Sequence, residues 1–178
     1  MAVYYGNDSS NYLTGSSYDD QIYAYGGNDT VIGNGGNDYL EGGLGNDSVI
    51  GGSGNDTIDA FWATPYNGER DILNGGPGYD KFVIGDSYSG KGYLGNSWAV
   101  IQDFNWREDY IKVQGSLNQY SLLPGNVNGY GYSPSDMAIV SSSNSSEVYA
   151  IVINGNLNDP SNGNLKNLQL STRDFISA

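Results

Sequence analysis

The sequence contains no cysteine and no histidine in 178 residues. Without cysteine there is no disulfide to staple the fold and no thiol to act as nucleophile or redox group. This does not argue against secretion, because a bound metal can take the place of disulfides. Without histidine the usual general base and the commonest zinc ligand are missing, and a zinc-protease H-E-x-x-H signature is excluded with them. Basic residues are scarce: seven Lys and Arg stand against 20 Asp and Glu, for a formal net charge of −13. Such a chain lacks the basic footprint that nucleic-acid binding needs, and a polyanion would approach it only across a bridging cation. Long apolar runs are absent too. The longest, Val148–Ile153, is far shorter than the ~20 residues that span a bilayer. Met1–Ser10 (MAVYYGNDSS) has neither the basic region nor the apolar stretch of a secretory leader. No segment carries a convincing helical period.

What the chain has instead is glycine, aspartate and a strict period. Gly42 to Asp59 reads GGLGNDSVI and then GGSGNDTID, two tandem copies of G-G-x-G-x-D-x-U-x, with U a large apolar residue. The Asp at position six recurs every nine residues at Asp20, Asp29, Asp38, Asp47 and Asp56, and Asn11 holds the same position one step earlier. After Asp56 the segment 60–65 (AFWATP) adds six residues, and the series resumes at Asp71 and Asp80. Two residues after each of these stands an apolar side chain: Leu13, Ile22, Val31, Leu40, Val49, Ile58, Leu73 and Phe82. The glycines permit positive φ, so a six-residue loop can turn its carbonyls inward. Asp adds a hard anionic oxygen, and carboxylate and carbonyl oxygens together are what calcium selects. The x-U-x triplet reads as a short strand with its central side chain turned inward. A merely solvated array of glycine-rich turns is the plainer alternative, and the locked apolar position speaks against it.

These repeats resemble the hemolysin-type calcium-binding (RTX) nonapeptides, a motif of calcium-binding parallel β structures. The resemblance implies an all-β fold, a right-handed parallel β-roll in which two nonapeptides make one coil. Loops two repeats apart then stack, with a calcium ion between them. In the family the earlier loop gives the carbonyls of positions two and four, the later loop those of positions one and three, and both give their Asp. Carried over, one site comprises Asn34, Gly36 and Asp38 with Gly51, Ser53 and Asp56. A second comprises Ser16, Tyr18 and Asp20 with Gly33, Gly35 and Asp38. A third comprises Tyr25, Gly27 and Asp29 with Gly42, Leu44 and Asp47. A fourth comprises Gly52, Gly54 and Asp56 with Gly75, Pro77 and Asp80. Two further pairs depart from the pattern. Asp47 pairs with Asp71, whose loop 66–71 (YNGERD) has lost most glycines, and Asn11, which brings no charge, pairs with Asp29.

Residues 1–83 are expected to form the roll, with a first repeat (Gly6–Thr14) that is imperfect, as end repeats are. Val3, Tyr4 and Tyr5 are placed to cover the open end. Phe61 and Trp62 in the insertion read either as a binding handle or as cover for the core. Residues 84–178 read as a β-rich cap, with strand candidates at Trp98–Phe104, Asp109–Val113, Met137–Val140 and Val148–Ile153, and a turn at Ser141–Ser146. Val100–Gly115 (VIQDFNWREDYIKVQG) resembles the I-x-D-F…D-x-I-x-V/L element that follows the repeats in serralysin-type and other RTX proteins. There Asp103 and Asp109 either bind a further calcium or serve as turn residues. The C-terminal Arg173–Ala178 resembles the uncleaved signals of type I secretion.

The reading that follows is a secreted, non-catalytic calcium-binding RTX module, extracellular or at a cell surface. It folds on binding about four to six Ca²⁺ at the 0.1–1 mM levels typical of extracellular modules, and so supports type I secretion, stability or surface attachment. Its partners are calcium, with the secretion machinery or an extracellular polysaccharide beyond it. The alternative is a calcium-dependent carbohydrate-binding module of an extracellular polysaccharide-active protein, for which 16 Tyr and 3 Trp are available. A row of exposed aromatics on one sheet would favour it. An enzyme would have only paired carboxylates or a Ser/Lys arrangement to work with, and the repeat Asp residues look committed to metal.

Overall fold

A computed structural model describes residues 1–59, 68–84, 97–105, 107–113, 119–124, 136–141, 148–152 and 175–177. Expectations for Phe61 and Trp62, and for most of the Ser141–Ser146 turn, lie outside them.

The x-U-x triplets become strands. In chain order they are β1 (Val3–Asn7), β2 (Tyr12–Thr14), β3 (Gln21–Tyr25), β4 (Thr30–Gly35), β5 (Tyr39–Glu41), β6 (Ser48–Ser53), β7 (Thr57–Asp59), β8 (Arg70–Asn74) and β9 (Lys81–Val83). Odd and even strands fall into two different sheets. Each strand pairs in parallel with the strand two ahead, as in Gln21 with Tyr39 and Tyr39 with Thr57. One coil is therefore two nonapeptides long. Across the insertion the register becomes Thr57 with Lys81 and Ser48 with Ile72, and the six extra residues are accommodated without a slip.

Alternation along each strand decides what is inside. Ile22, Val31, Leu40, Val49, Ile58, Leu73 and Phe82 are fully buried between the two sheets. Leu13, in the terminal coil, is only partly buried against that core. Burial of each large side chain contributes about 1.5–3 kcal/mol.

The later strands are β10 (Trp98–Ile101), β11 (Tyr110–Val113), β12 (Tyr120–Pro124), β13 (Met137–Ser141), β14 (Val148–Val152) and β15 (Phe175–Ser177). Both sheets continue into them. β10 stacks in parallel on β8, and β11 on β9. One sheet then ends in β15, parallel to β11. The other gains β14 in parallel on β10, followed by β13 and β12 in antiparallel order. The final orders are β1-β3-β5-β7-β9-β11-β15 and β12-β13-β14-β10-β8-β6-β4-β2. A second small cluster of Ala138, Val140 and Ile151 packs with Trp98 and Leu123, so the residues of β13 are buried on both faces. The all-β parallel roll followed by further β strands is as expected; the antiparallel order of β12, β13 and β14 adds to that expectation, and β12 and β15 are not among the strand candidates. No helix among the described residues is long and apolar enough to cross a membrane.

Candidate metal centre

Each loop carries the chain from one sheet to the other, so the loops stack in two rows along the edges of the roll. One row holds loops 15–20, 33–38, 51–56 and 75–80; the other holds 24–29, 42–47 and the described residues 68–71 of the next loop.

The Asp at position six makes the same bond in every loop. The N–H of Asp20 donates to Oδ1 of Asp38, Asp38 to Asp56, Asp29 to Asp47, and Asp47 to Asp71, each at 2.8 Å, and Asp56 donates to Asp80 at 2.9 Å. The series starts with Ala2 on Asp20 and Asn11 on Asp29. At the far end Asp80 donates to Oδ1 of Asp109 at 3.0 Å. One carboxylate oxygen per residue is thereby used. The other is not: Oδ2 of Asp29, Asp38, Asp47, Asp56 and Asp80 is buried and has no hydrogen-bond partner among the described residues. A buried anionic oxygen without a partner is costly, so five of them in register demand an explanation.

The neighbouring oxygens supply one. A Cβ placed on Gly51 would strike Oδ2 of Asp56 and lie 2.6 Å from the carbonyl oxygen of Gly75 in the next loop. Gly33 stands in the same relation to Asp38 and the Gly51 carbonyl. Carboxylate and carbonyl thus converge over a bare Cα at position one. Positions two and four both take positive φ, for example Gly52 at 112° and Gly54 at 135°. Asn34 (79°) and Tyr25 (74°) hold position two without being glycine, and Tyr25 does so at a cost of roughly 1–2 kcal/mol. The loops also approach closely: a Cβ placed on Gly36 would strike the backbone of Tyr18 and Asp19, one on Gly54 the carbonyl of Gly36, and one on Gly45 the carbonyl of Gly27. The donor set is entirely oxygen, backbone carbonyls together with the Asp carboxylates. It suits a hard divalent cation and not a soft one. Among the described residues no three acidic side chains gather as an all-carboxylate cage.

Burial moves these groups electrostatically. It raises Asp29 and Asp38, and pushes Asp47 and Asp80 up to about 7 and Asp56 and Asp109 up to about 6, with neighbouring carboxylates adding to the rise in all but Asp29. Asp20 differs. Its Oδ2 accepts from the Oγ–H of Ser16 at 2.7 Å and the Ser16 N–H at 2.8 Å, and these bonds hold its carboxyl below the usual range. The Ser16/Asp20 loop therefore meets its own oxygen demand. Tyr18, beside it, is exposed.

Asp103 and Asp109 receive backbone donors. Gly75 and Gly76 donate to the two oxygens of Asp103 at 2.9 and 2.6 Å. Asp109 takes Asp80 on Oδ1 and the Asn105 N–H, at 2.7 Å, on Oδ2. Both tie the segment 103–109 to the last regular loop.

Two features escaped the sequence reading. Position five is a second row of side-chain acceptors: Asn46 donates its N–H to Asn28, Asn55 to Asn37, Arg70 to Asn46 and Tyr79 to Asn55. The Asn-Asp pair repeated at 28–29, 37–38, 46–47 and 55–56 was its signal. Glu69 is the other. It is buried, accepts the Gly45 N–H, and is itself capped by Ser97, whose Oγ accepts the N–H groups of Gly68 and Glu69.

Residues 5–40 and 32–60 match the family model of the RTX calcium-binding nonapeptide repeat (4 copies). No curated protein matches the sequence. Among solved structures the chain is similar to the AlgE6R3 subunit from the Azotobacter vinelandii mannuronan C5-epimerase, with 18% identity and a TM-score of 0.46 over 96% of this chain and 80% of that one. RTX repeats bind Ca²⁺, and proteins that carry them are extracellular. Residues 5–60 of this chain therefore carry the pattern of the RTX nonapeptide repeat, which the spacing of their Asp and Gly residues had suggested.

Proposed function

We propose that the chain is a secreted, non-catalytic module whose two rows of loops fold around calcium. The observation that carries this reading is the set of five buried Oδ2 atoms without partners. Each belongs to the earlier loop of a stacked pair: Asp29 with Asp47, Asp38 with Asp56, Asp47 with Asp71, Asp56 with Asp80, and Asp80 with the segment that carries Asp103 and Asp109. Calcium supplies the positive charge that lets these oxygens stay ionised while buried. The carbonyls of Tyr25, Gly27, Asn34, Gly36, Gly52 and Gly54 in earlier loops, and of Gly42, Leu44, Gly51, Ser53, Gly75 and Pro77 in later ones, complete the ligand sets. The loop of Ser16, Tyr18 and Asp20, facing Gly33 and Gly35, is the weakest site, because Ser16 already occupies Asp20. Residues 1–83 carry the regular ion-binding loops, and 84–178, whose strands extend both sheets, finish the stack and carry the export function.

Shared carboxylates make the reading testable. Asp56 serves two loop pairs, so Asp56→Asn is expected to remove or weaken two ions by calorimetry, whereas Asp20→Asn touches only the one site where the Ser16 hydroxyl already bonds the carboxylate. Equal losses from the two variants, or no calcium uptake by the parent chain, would sink the assignment.

A second reading, a carbohydrate-binding surface, draws on a row of tyrosines on the outer face of one sheet. Tyr5 stacks on Tyr23 and on Tyr25 at 5.7 and 6.2 Å between ring centroids, and Tyr23 leans on Tyr39 at 5.7 Å. Such rings suit sugar faces, and the acidic charge points to neutral sugars. With calcium saturating, Tyr5→Ala is expected to abolish any binding of neutral oligosaccharides followed by tyrosine fluorescence. A parent chain that binds no neutral or anionic oligosaccharide removes this reading.

A further inference from the structure

The loop 66–71 looks degraded, yet the bonding around it is not. In the regular pairs the position-four N–H of the earlier loop donates to the position-three carbonyl of the later loop: Gly27 to Leu44 at 2.9 Å, Gly36 to Ser53 at 2.9 Å, and Gly54 to Pro77 at 3.0 Å. Those acceptors are the very carbonyls assigned to calcium above. In the pair formed by loops 42–47 and 66–71 the donor is Gly45, and its acceptor is a side chain, Oε1 of Glu69, at 3.1 Å. Glu69 is buried at 6% exposure, and its backbone is fixed by the Ser97 hydroxyl, so its carboxylate is held in place. Facing it is Asp47, 2% exposed, with Oδ2 unpartnered. The electrostatic field of Glu69 reaches Asp47.

We propose that Glu69 is a calcium ligand, its carboxylate standing where a regular loop offers the position-three carbonyl, so that the irregular pair Asp47/Asp71 binds an ion with one neutral donor exchanged for an anionic one. This rests on the calcium reading of the regular loops. Burial alone would set the Glu69 carboxyl above its ordinary range, and an ion beside it removes that penalty. Affinity in oxygen sites rises with ligand charge, so this site is among the tightest of the array and fills early as calcium rises. The loop's lost glycines are thereby compensated by chemistry and not by shape.

The test compares the full chain with Glu69→Gln and Glu69→Asp. Gln keeps an oxygen that accepts the Gly45 N–H and loses only the charge, so a purely structural role survives it. Calcium is titrated by calorimetry, with circular dichroism at saturating calcium to establish folding. Emission of tryptophan is followed alongside, because Trp98 stacks on Arg70, the residue next to Glu69, at 4.1 Å. The expected result for Glu69→Gln is a loss of roughly tenfold or more in affinity at one of the tight sites, with the remaining sites unchanged. A Glu69→Gln isotherm superimposable on that of the parent, while the parent binds calcium, overturns the proposal and leaves the regular sites standing. A parent chain without calcium uptake overturns both. If Glu69→Gln fails to fold at saturating calcium, Glu69→Asp decides: one weakened ion supports the role, and an unchanged isotherm refutes it.

Discussion

In excess chelator at pH 7.5 the chain is expected to give a far-UV spectrum of largely disordered backbone, and millimolar calcium is expected to convert it to β structure, with equal magnesium ineffective. The core of the roll is thin, one large inward side chain per nonapeptide. Against it stand rows of stacked carboxylates one strand spacing apart, about 5 Å, where each pair repels by roughly 1–3 kcal/mol depending on the effective dielectric. Calcium reverses the sign of that interaction. Free ion at ten times its dissociation constant adds about 1.4 kcal/mol per site, so five sites contribute about 7 kcal/mol. That is comparable to the whole net stability of a typical domain, about 5–15 kcal/mol. Magnesium prefers a small octahedral shell with retained waters, and stacked carbonyl loops do not offer one. A chain already folded in chelator, with an unchanged urea midpoint on adding calcium, would place its stability in the C-terminal strands instead.

Acid should do part of what calcium does. In the calcium-free fold, Asp47 and Asp80 lie at about 7 and Asp56 and Asp109 at about 6, all raised by burial, from the ordinary value of 3.8. A raised carboxyl in the folded state means that the fold holds more protons than the unfolded chain between those values. The stabilisation is fully present below about pH 4 and is lost as pH rises through 6 to 7. Asp20, held low by Ser16, works in the opposite sense but is a single group near the open end. Chelated protein, largely disordered at pH 7.5, is therefore expected to regain β structure by far-UV circular dichroism at pH 5 and to be less stable at pH 8, the reverse of ordinary acid denaturation. With calcium saturating, the order inverts, because protons then compete for the same oxygens. A β content of chelated protein that climbs steadily with pH would contradict the burial of these carboxyls.

Much of this was legible in the sequence because the repeat states one rule many times. The inward positions from Ile22 to Phe82, the alternation of sheets and the six-residue insertion all follow from a period that needs no tertiary information. What was not legible depends on neighbours distant in the chain. Nothing local to Tyr120–Pro124 or Phe175–Ser177 says that they pair with β13 and β11. The capture of Asp20 by Ser16 needed a conformation, not a spacing. Glu69 was hidden for a different reason: a motif counts glycines, and the carboxylate that replaces one of their carbonyls registers as a defect. The Asn residues of position five were visible all along, but a motif written with a wildcard there invites the eye to pass over them.

The two-sheet alternation has a consequence for how such an array changes length. Loss or gain of nine residues upstream of Ala60 transfers every earlier repeat to the opposite sheet and the opposite row. Regular coils meet the same surroundings in either row, since each bonds only to the coil before and after it. Downstream of that point, the bonds of Glu69 to Ser97 and of Asp80 to Asp109 keep their own partners. The chain is thus modular in steps of nine on one side of the insertion and fixed on the other. Recombination between near-identical repeats can lengthen or shorten the ion-binding rows while the closing end stays unchanged.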